Sequence, residues 1–308
     1  MAATAFLLAA GLGTRLRPLT DQVPKALVPV CGVPMLDHAL ALVRGAGHRE
    51  VLVNAHHHWE QVAAWAEEAE VDLQVELPEI LGTGGGLRAA LDRLSVQVVI
   101  VNADILCDVD LVALQAAIPL EGAAMALRPS VQAVRFGEVE PDAQGRVRRI
   151  SDVVGLPGSG RPGHHFTGVH AMSRAAIARI PPEGAQCVVR TAYKALVPEG
   201  RVGSLVHPGT WVDIGSPGAY LDANLAVLRG EVKAPVDPWT RGRRAATDSL
   251  AGAGAEIDGI VFRSVIGPGA RVPRGAELQD CVVWEGVTVP QGRHTRKVFA
   301  WEGVVVGG

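Results

Sequence analysis

The feature that most constrains the fold is an apolar strand that runs directly into a glycine-containing loop at the start of the chain. Residues 5–10 read Ala-Phe-Leu-Leu-Ala-Ala, and residues 11–15 continue as Gly-Leu-Gly-Thr-Arg. Because glycine lacks the Cβ that blocks close approach, consecutive backbone N–H groups in such a loop can form a concave site for an anion. Arg15 and Lys25 add full positive charges to the same stretch. The pattern predicts a phosphate-binding turn at the end of a β-strand.

Two familiar phosphate-binding loops do not fit this stretch. The Rossmann fingerprint requires a third glycine three residues after the second, and this chain has Leu16 there. The Walker A loop ends in Gly-Lys-Ser or Gly-Lys-Thr, which the stretch lacks. The sequence therefore disfavours both a dinucleotide-dependent dehydrogenase and a P-loop NTPase.

Strand and helix patterns alternate through the first half of the chain. The apolar run at 96–101 has polar neighbours, as expected for a central parallel strand that is buried on both faces. Helical patterns at 35–46, 59–69 and 83–94 separate it from the earlier strands. This order predicts an α/β fold with a doubly wound, Rossmann-like, mostly parallel sheet. Ligands of such sheets bind beyond the carboxyl ends of the strands.

The C-terminal part has a period of its own. Ile260, Ile266, Val272 and Leu278 recur every six residues, and the period resumes at Val283 after a slip of one residue. Such a period predicts a short left-handed parallel β-helix, with a plain β-meander as the alternative. A stack this small cannot stand alone, so we expect it to pack on the catalytic domain or to form a homo-oligomer. The predicted domains are a catalytic domain at 1–230, a linker at 231–250 and the β-helical tail at 251–308.

Composition limits the partners and the compartment. A net charge of −3 at pH 7 gives no electrostatic basis for binding nucleic acid or an anionic membrane. The four cysteines lie far apart in the sequence, which indicates isolated thiols in a reducing compartment. The sequence starts without a secretory leader pattern and has no apolar run of about 20 residues. We therefore expect a cytoplasmic protein with neither nucleic acid nor membrane as a partner.

The opening stretch resembles the signature of a known enzyme family. It reads Leu-Ala-Ala-Gly-Leu-Gly-Thr-Arg-Leu-Arg-Pro-Leu-Thr and is followed by Pro-Lys-Ala-Leu-Val-Pro, as in sugar-1-phosphate nucleotidyltransferases (NDP-sugar pyrophosphorylases). The resemblance covers residues 3–228 and implies transfer of a nucleotidyl group from an NTP to a sugar 1-phosphate, with release of pyrophosphate. It implies catalytic roles for Arg15 at the β- and γ-phosphates and for Lys25 at the α-phosphate. The nucleotide-binding candidates are Ala9, Ala10, Gly11, Gly13, Thr14, Glu79, Gly84 and Asn102.

Two aspartates are the candidate metal ligands. The reaction requires two anions held in line and their growing charge neutralised, and Mg²⁺ binds to one or two carboxylates together with phosphate oxygens. Asp104 follows the apolar strand and Asn102-Ala103, although a turn-capping aspartate has the same pattern. Asp213 ends a second apolar strand in Trp-Val-Asp-Ile-Gly. In the family the matching residues hold the metal, so the resemblance implies Mg²⁺ bound by Asp104 and Asp213.

A glycine-rich segment is the candidate base-binding region. Residues 81–87 read Leu-Gly-Thr-Gly-Gly-Gly-Leu, and the resemblance implies a role in binding the base. Glycines opening a helix destabilise it, which close approach of a ligand can offset; a flexible loop is the alternative. Glu79 is a candidate acceptor for the two adjacent N–H donors of guanine, which favours GTP. The alternative is that Glu79 is a solvated loop residue and that backbone groups at Ala9, Ala10 and Gly84 hold the base, an arrangement that would serve UTP equally well.

The sugar phosphate is expected at a later strand. Residues 165–170 read His-Phe-Thr-Gly-Val-His and match the family's sugar-contacting strand, which implies that Thr167 and Gly168 face the sugar. Many relatives carry a Glu-Lys-Pro lysine just upstream, whereas residues 152–157 of this chain contain none. Arg190 and Lys194 are the candidate replacements at the sugar phosphate.

The resemblance is more specific for the reaction than for the substrate. The chain looks most like mannose-1-phosphate guanylyltransferases and N-acetylmuramate-1-phosphate uridylyltransferases; the β-helical tail favours the first group and the triple glycine the second. We favour GTP, with uridylyl transfer to N-acetylmuramate 1-phosphate or a related sugar phosphate as the alternative. A further alternative is a non-catalytic regulatory subunit that binds an NDP-sugar. The complete set of Arg15, Lys25, Asp104 and Asp213 argues against it.

Overall fold

The computed structural model describes residues 2–129, 138–155, 163–245, 247–301 and 304–307. The chain divides into two compact units, each assembled from separate segments. The first unit comprises Met1–Gly11, Leu42–Ala103 and Val109–Gly209, and the second comprises Leu12–Ala41, Asp104–Asp108 and Thr210–Gly308. Each unit has its own cluster of buried apolar side chains.

The α-helices are α1 (Met35–Gly45), α2 (Trp59–Glu68), α3 (Gly82–Ala89), α4 (Leu111–Ala116), α5 (Arg174–Ile177), α6 (Lys194–Leu196) and α7 (Pro217–Leu228). Short 3₁₀ helices lie at Thr14–Leu16, Lys25–Leu27, Leu91–Arg93 and Pro238–Thr240, and a π-helix lies at Val189–Tyr193. The strands up to residue 213 are β1 (Ala3–Leu8), β2 (Pro29–Val30), β3 (Val33–Pro34), β4 (Val51–Ala55), β5 (Asp72–Val75), β6 (Leu94–Asn102), β7 (Ile105–Cys107), β8 (Ala123–Pro129), β9 (Glu138–Pro141), β10 (Val147–Ile150), β11 (His164–Ser173), β12 (Val202–Val206) and β13 (Trp211–Asp213). The later strands are β14 (Gly242–Ala245), β15 (Ser249–Gly252), β16 (Glu256–Ile257), β17 (Ile260–Phe262), β18 (Val265–Ile266), β19 (Arg271–Val272), β20 (Ala276–Gln279), β21 (Val282–Val283), β22 (Gly292–Thr295), β23 (Lys297–Ala300) and β24 (Val304–Gly307).

The first unit is built on a nine-stranded sheet. Strands β6, β1, β4 and β5 are parallel neighbours, with helices in the connections between them. Beyond β6 the sheet becomes mixed, because β11 runs antiparallel to both β6 and β8. The predicted α/β fold is confirmed, and the parallel half is the part that the helix–strand alternation indicated.

The predicted central strand of this sheet is β6. Residues 98–101 of β6 are completely buried, as a parallel strand covered on both faces requires. The register places Leu8 of β1 beside Asn54 of β4 on one side and Asn102 of β6 on the other. Three neighbouring strands therefore end together, and the polar residues Asn54 and Asn102 lie on either side of the end of β1. The sequence at 134–139 also reads as a short strand, but it falls mostly outside the described residues, and β9 contains its last two positions.

The second unit joins the N-terminal loop to the C-terminal tail. Its apolar core includes Leu16 and Leu19 from the loop, Tyr220 from α7, and Val283 and Trp284 from the tail. The indole Nε1 of Trp284 donates to the Tyr220 hydroxyl at 2.9 Å, and that hydroxyl donates to the carbonyl of Pro29 at 2.6 Å. The tail is therefore an integral part of this unit's core.

Two intervals of the second unit refine the expectations drawn from the sequence. The interval predicted as a linker contains β14, which pairs antiparallel with β15, and Arg241 within it forms an ion pair with Asp37 at 2.7 Å. Ile260, the first member of the six-residue period, is 63% exposed, whereas its neighbour Val261 is buried. The prediction that Ile260 belongs to the buried repeat was wrong, because side chains alternate along β17 and Val261 is the one that faces inward.

Most strands of the tail stack in three parallel ladders, to which the chain returns in turn, while β24 pairs antiparallel with β23 at the end of one of them. One ladder pairs Leu250 with Val265, Val265 with Val282, and Val282 with Val298. The second ladder contains β16 and β19, and the third contains β17, β20 and β22. Because each return to a ladder adds a strand beside the previous one, aliphatic side chains of successive strands stack into a buried stripe.

Within the described residues, no helix has the length and apolar character needed to cross a bilayer.

Candidate functional site

The predicted phosphate-binding turn lies in the second unit and is shaped by Gly13. Gly13 has φ 62° and precedes the 3₁₀ helix Thr14–Leu16. Its carbonyl accepts from the Leu16 N–H at 2.9 Å and from the Thr20 hydroxyl at 2.9 Å. A Cβ at position 13 would come within 2.9 Å of Thr20 Cγ2. Positive φ and lack of space thus both require glycine, and Thr14 and Arg15 are left exposed beside the turn.

Lys25 brings the two metal-ligand candidates together in the same unit. Its Nζ lies 2.5 Å from Asp104 Oδ2 and 3.8 Å from Asp213 Oδ1, and the lysine side chain is only 11% exposed. The aspartates are far apart in sequence but are joined by the antiparallel pair β7–β13, in which Asp213 lies opposite Ile105. The Ile214 N–H also donates to the Asp104 carbonyl at 3.5 Å. A short ladder between distant segments therefore creates this carboxylate pair.

The charges of the cluster act on Asp213. Burial raises the pKa of the Asp213 carboxyl above its ordinary value, and the neighbouring Asp104 carboxylate raises it further. Lys25, Arg15 and the Gly215 N–H oppose this shift by favouring the ionised form. The Asp213 carboxylate thus depends on cationic partners to stay charged.

The cluster suits a divalent cation that also binds substrate phosphates. Both carboxylates are partly exposed and lie within reach of one ammonium group, so their negative charges converge. Mg²⁺ binds to one or two protein carboxylates and fills its remaining positions with water or phosphate oxygens. Among the described residues there is no group of three or more His, Cys, Asp or Glu side chains arranged to hold a metal by themselves. The donor set fits Mg²⁺ that completes its coordination with water or phosphate oxygens.

The remaining nucleotide candidates lie in the first unit. Ala9 and Ala10 are buried where β1 ends, Gly11 is exposed after them, and Asn102 is half-buried at the end of β6. The Ala9 N–H donates to Asn54 Oδ1 at 2.7 Å, so that amide is already bonded within the protein. Asn54 was visible in the sequence as a polar residue at a strand end, but the pattern gave it no role.

The acidic residues before α3 divide into one exposed and one buried side chain. Glu79, the predicted base acceptor, is exposed. Glu76 is 1% exposed; its Oε1 accepts from Asn54 Nδ2 and its Oε2 from the Leu81 N–H, both at 2.7 Å. Sequence reasoning missed Glu76. The position of Glu76 directly after a β-strand was the available signal, but the sequence alone does not distinguish a buried glutamate from an exposed one.

The glycine-rich helix α3 is closely packed against another backbone segment. A Cβ on Gly84 would lie 2.9 Å from the Val188 amide nitrogen, and one on Gly82 would lie 2.7 Å from the Gln186 carbonyl oxygen. The Gly84 N–H donates to that same carbonyl at 2.8 Å. These glycines therefore admit the chain at 186–188, and the Gly84 amide is engaged before any ligand binds.

The predicted sugar strand is β11, also in the first unit. The Thr167 hydroxyl is buried, donates to the Ala126 carbonyl at 2.8 Å and accepts from the Val169 N–H at 3.2 Å. Gly168 has φ 81°, at the irregularity in the β11–β8 pairing. Arg190, in the π-helix, and Lys194, at the start of α6, are both exposed. The Thr167 hydroxyl thus shapes the strand through bonds within the protein, while the two basic side chains face outward.

A buried histidine ties β11 to the π-helix. His170 Nδ1 lies 2.6 Å from the Tyr193 hydroxyl, and both side chains are almost completely buried. Burial lowers the pKa of His170 to about 3. π-Helical turns are often found at functional sites, and Arg190, a candidate for the sugar phosphate, lies in the same π-helix as Tyr193.

His170 is expected to make unfolding depend on pH. The unfolded chain binds a proton at this histidine below about pH 6.5, while the folded chain binds none until about pH 3, so stability falls as the pH falls. Between pH 7 and pH 5 this group alone removes about 2 kcal/mol from the free energy of unfolding. In His170→Asn, urea unfolding at both pH values should show a loss smaller by that amount. Equal losses in the two proteins would contradict the assignment.

Comparison with known proteins identifies similar chains. A sequence profile of the nucleotidyl transferase family matches residues 4–153. The chain is 29% identical over 294 residues to a mannose-1-phosphate guanylyltransferase of Mycobacterium tuberculosis, covering 91% of this chain and 79% of that protein. It is 32% identical over 241 residues to an N-acetylmuramate α-1-phosphate uridylyltransferase of Caulobacter vibrioides, covering 71% of this chain and 94% of that protein.

Solved structures share the fold. The crystal structure of HddC from Yersinia pseudotuberculosis matches 72% of this chain and 98% of its own chain, with a TM-score of 0.59 and 22% identity. The same protein complexed with GMP-PN gives a TM-score of 0.58 at 21% identity. At these identities the similarity establishes a common fold for that part of the chain.

Proposed function

Because the chain belongs to the nucleotidyl transferase family of sugar-1-phosphate nucleotidyltransferases, we propose that it joins an NTP and a sugar 1-phosphate into an NDP-sugar with release of pyrophosphate. One observation carries the proposal: Lys25 lies within ion-pair distance of both Asp104 and Asp213. Such a combination of one ammonium and two carboxylates suits the handling of a metal-bound polyphosphate. A protein that only bound an NDP-sugar would not need all three groups.

The proposed mechanism is in-line attack by the sugar phosphate oxygen on the α-phosphorus of the NTP. The new P–O bond forms as the bond to the β-phosphate oxygen breaks, and pyrophosphate leaves with the electron pair. Lys25 neutralises the charge that develops at the α-phosphate, and Arg15 contacts the β- and γ-phosphates and the departing pyrophosphate. Gly11, Gly13 and Thr14 supply backbone groups to the phosphates. Asp104 and Asp213 would hold Mg²⁺, which when bound would neutralise phosphate charge.

We propose GTP as the preferred nucleotide. The support is the exposed carboxylate of Glu79, three residues before α3, because guanine offers two adjacent donors to a carboxylate and uracil offers one. The similarity to a mannose-1-phosphate guanylyltransferase over 91% of this chain points the same way. The similarity to a uridylyltransferase at 32% identity keeps UTP as the second candidate.

Pyrophosphate release with a panel of NTPs and sugar 1-phosphates tests both the reaction and the base. We expect kcat/KM for GTP to exceed that for UTP by about tenfold or more, and Glu79→Gln to reduce this ratio, because a site built around a base's donors discriminates against an analogue lacking them. Glu183→Gln, an exposed substitution in the same unit, is the matched control. A preference for UTP that Glu79→Gln leaves unchanged would remove Glu79 from base selection. If none of the pairs of NTP and sugar 1-phosphate gave a product, the proposed reaction would be overturned.

At the sugar phosphate, Arg190 and Lys194 replace the family lysine that this chain lacks, and Thr167 and Gly168 form the adjoining backbone. The exposure of both basic side chains supports this assignment.

The tail is a left-handed parallel β-helix, supported by the three ladders to which its strands return in turn, and it provides the surface for a homo-oligomer. The proposed domain limits remain 1–230, 231–250 and 251–308.

A further inference from the structure

We propose that Asn54 and Glu76 form a polarised hydrogen-bond relay that positions the nucleotide-binding backbone of the first unit. The proposal rests on the proposed function, because it assigns these two side chains to the nucleotide pocket of that reaction. Neither side chain is assigned contact with substrate. They are positioning residues that act through the backbone at Ala9 and Leu81.

Three hydrogen bonds connect four segments of the chain. The Ala9 N–H, where β1 ends, donates to Asn54 Oδ1 at 2.7 Å; Asn54 Nδ2, at the end of β4, donates to Glu76 Oε1 at 2.7 Å. The Leu81 N–H, immediately before α3, donates to Glu76 Oε2 at 2.7 Å. The relay therefore sets the distance between the end of β1 and the start of the glycine-rich helix. These are the two backbone segments to which the base is assigned.

Both side chains of the relay are buried, which limits the access of water to them. Asn54 is 2% exposed and Glu76 is 1% exposed. A Cβ on Gly86 of α3 would lie 2.6 Å from Glu76 Oε1 and 3.0 Å from Asn54 Nδ2, so the glycine leaves the space that the pair occupies. A buried donor or acceptor without a partner is unfavourable, and every member of this chain of bonds has one.

The direction of the bonds determines which side chains can complete the relay. Both backbone ends donate, so the two side chains between them must present an acceptor at each end and one donor in the middle. Asparagine supplies one acceptor and one donor, and a carboxylate supplies two acceptors. Glutamine at position 76 has nearly the same shape as glutamate but places an NH₂ against another donor whichever way it turns. Aspartate at position 54 places two carboxylates face to face.

The same logic predicts that exchanging the two functional groups restores the relay. In Asn54→Asp/Glu76→Gln, the Ala9 N–H donates to one oxygen of the new carboxylate at position 54, and the new amide NH₂ at position 76 donates to the other oxygen. The Leu81 N–H then donates to the carbonyl oxygen of that amide. Every bond is regained, the net charge equals that of the wild type, and the negative charge has moved from position 76 to position 54.

Nucleotide affinity and turnover of the three variants test the relay. We expect Asn54→Asp and Glu76→Gln each to raise the Kd for GTP, measured by calorimetry, by about tenfold or more, with no change beyond about twofold in the KM for sugar 1-phosphate. The double variant should return to within about threefold of the wild type. Ser173→Ala removes the side-chain bond that caps α5 and is the control for general destabilisation; it should lower the Tm without changing the Kd.

Three outcomes would overturn the relay. Single variants that bind GTP as the wild type does would show that the bonds do not position the site. A double variant as weak as the singles would mean that the carboxylate at 76 itself contacts the nucleotide. A fall in Tm without a change in Kd, as in Ser173→Ala, would make the pair merely structural. Wild-type protein that binds GTP but releases no pyrophosphate would overturn the proposed function instead.

Amide hydrogen exchange in the wild-type protein tests the relay without any substitution, and so does not depend on a variant folding. The relay predicts that the Ala9 and Leu81 amides exchange slowly in the nucleotide-free protein and change little when GTP is added, because the backbone is positioned beforehand. Rapid exchange that slows only on addition of GTP would show that the nucleotide orders these segments, and would overturn the relay.

Discussion

Asparagine in place of Asp104 or Asp213 is expected to lower kcat by several orders of magnitude while the protein remains folded. Each substitution keeps the size of the side chain but removes one of the two negative charges that converge near Lys25 Nζ. A metal bound mainly by two carboxylates and substrate phosphates then loses half of its protein ligands. Steady-state kinetics with Mg²⁺ gives the kcat, and titration with Mn²⁺ followed by electron paramagnetic resonance gives the affinity for metal directly.

Asp108 provides the matched control. It lies in the same unit, just after β7, and its Oδ1 accepts from the Thr210 N–H at 2.7 Å. Asparagine preserves that acceptor, so Asp108→Asn should retain both activity and Mn²⁺ affinity. Chelation by EDTA should abolish wild-type activity, and Mg²⁺ should restore it. Full activity in Asp104→Asn or Asp213→Asn would exclude that residue as a ligand.

Replacing Lys25 by methionine is expected to lower kcat by about 100-fold or more, with little effect on the KM for the NTP. Removing a preorganised charged donor from a site where charge develops raises the barrier by about 3 kcal/mol. Methionine keeps most of the apolar stem, so the packing around the largely buried Lys25 is retained. Steady-state kinetics with the NTP varied separates the two parameters.

The pH profile of this variant provides a second readout. Because the Lys25 charge lowers the pKa of Asp213, its removal raises that pKa, and the acidic limb of the kcat profile should move toward neutral pH. Arg17→Met is the control within the same loop, since Arg17 forms an exposed ion pair with Asp21 at 3.3 Å and should contribute little. An effect of Lys25→Met confined to KM would instead make Lys25 a ground-state binding residue.

Local sequence was sufficient for the features that depend on neighbouring residues. The strand at 96–101 could be predicted because a run rich in apolar residues favours a buried strand; residues 98–101 are completely buried in β6, whereas Val96 is 80% exposed. The turn at Gly13 could be predicted because backbone conformation and space around a single residue both require glycine. The helices predicted at 35–46 and 59–69 followed from periodicity to within one residue. The helix predicted at 83–94 was too long, because it ends at Ala89 and Leu94 begins β6.

Local sequence could not tell which of several similar residues would be buried. Glu79 and Glu76 differ by three positions, and only the packing under α3 makes one a buried acceptor and leaves the other exposed. The triple glycine suggested room for a ligand, whereas Gly84 accommodates the backbone at 186–188. Ile260 and Val261 are adjacent aliphatic residues, and strand orientation alone decides which one faces inward.

The sequence by itself determined the reaction class and the charged residues of the candidate site. Arg15, Lys25, Asp104 and Asp213 each lie in a short motif that can be interpreted without knowledge of the others. Only the tertiary structure decided how they combine. The pairing of β7 with β13 brings Asp104 and Asp213 to one ammonium group, and the relay from Asn54 to Glu76 joins segments that no spacing rule connects. The physical reason is that a side chain's type is carried by its own residue, while its partners, burial and pKa depend on groups that only the folded chain brings near.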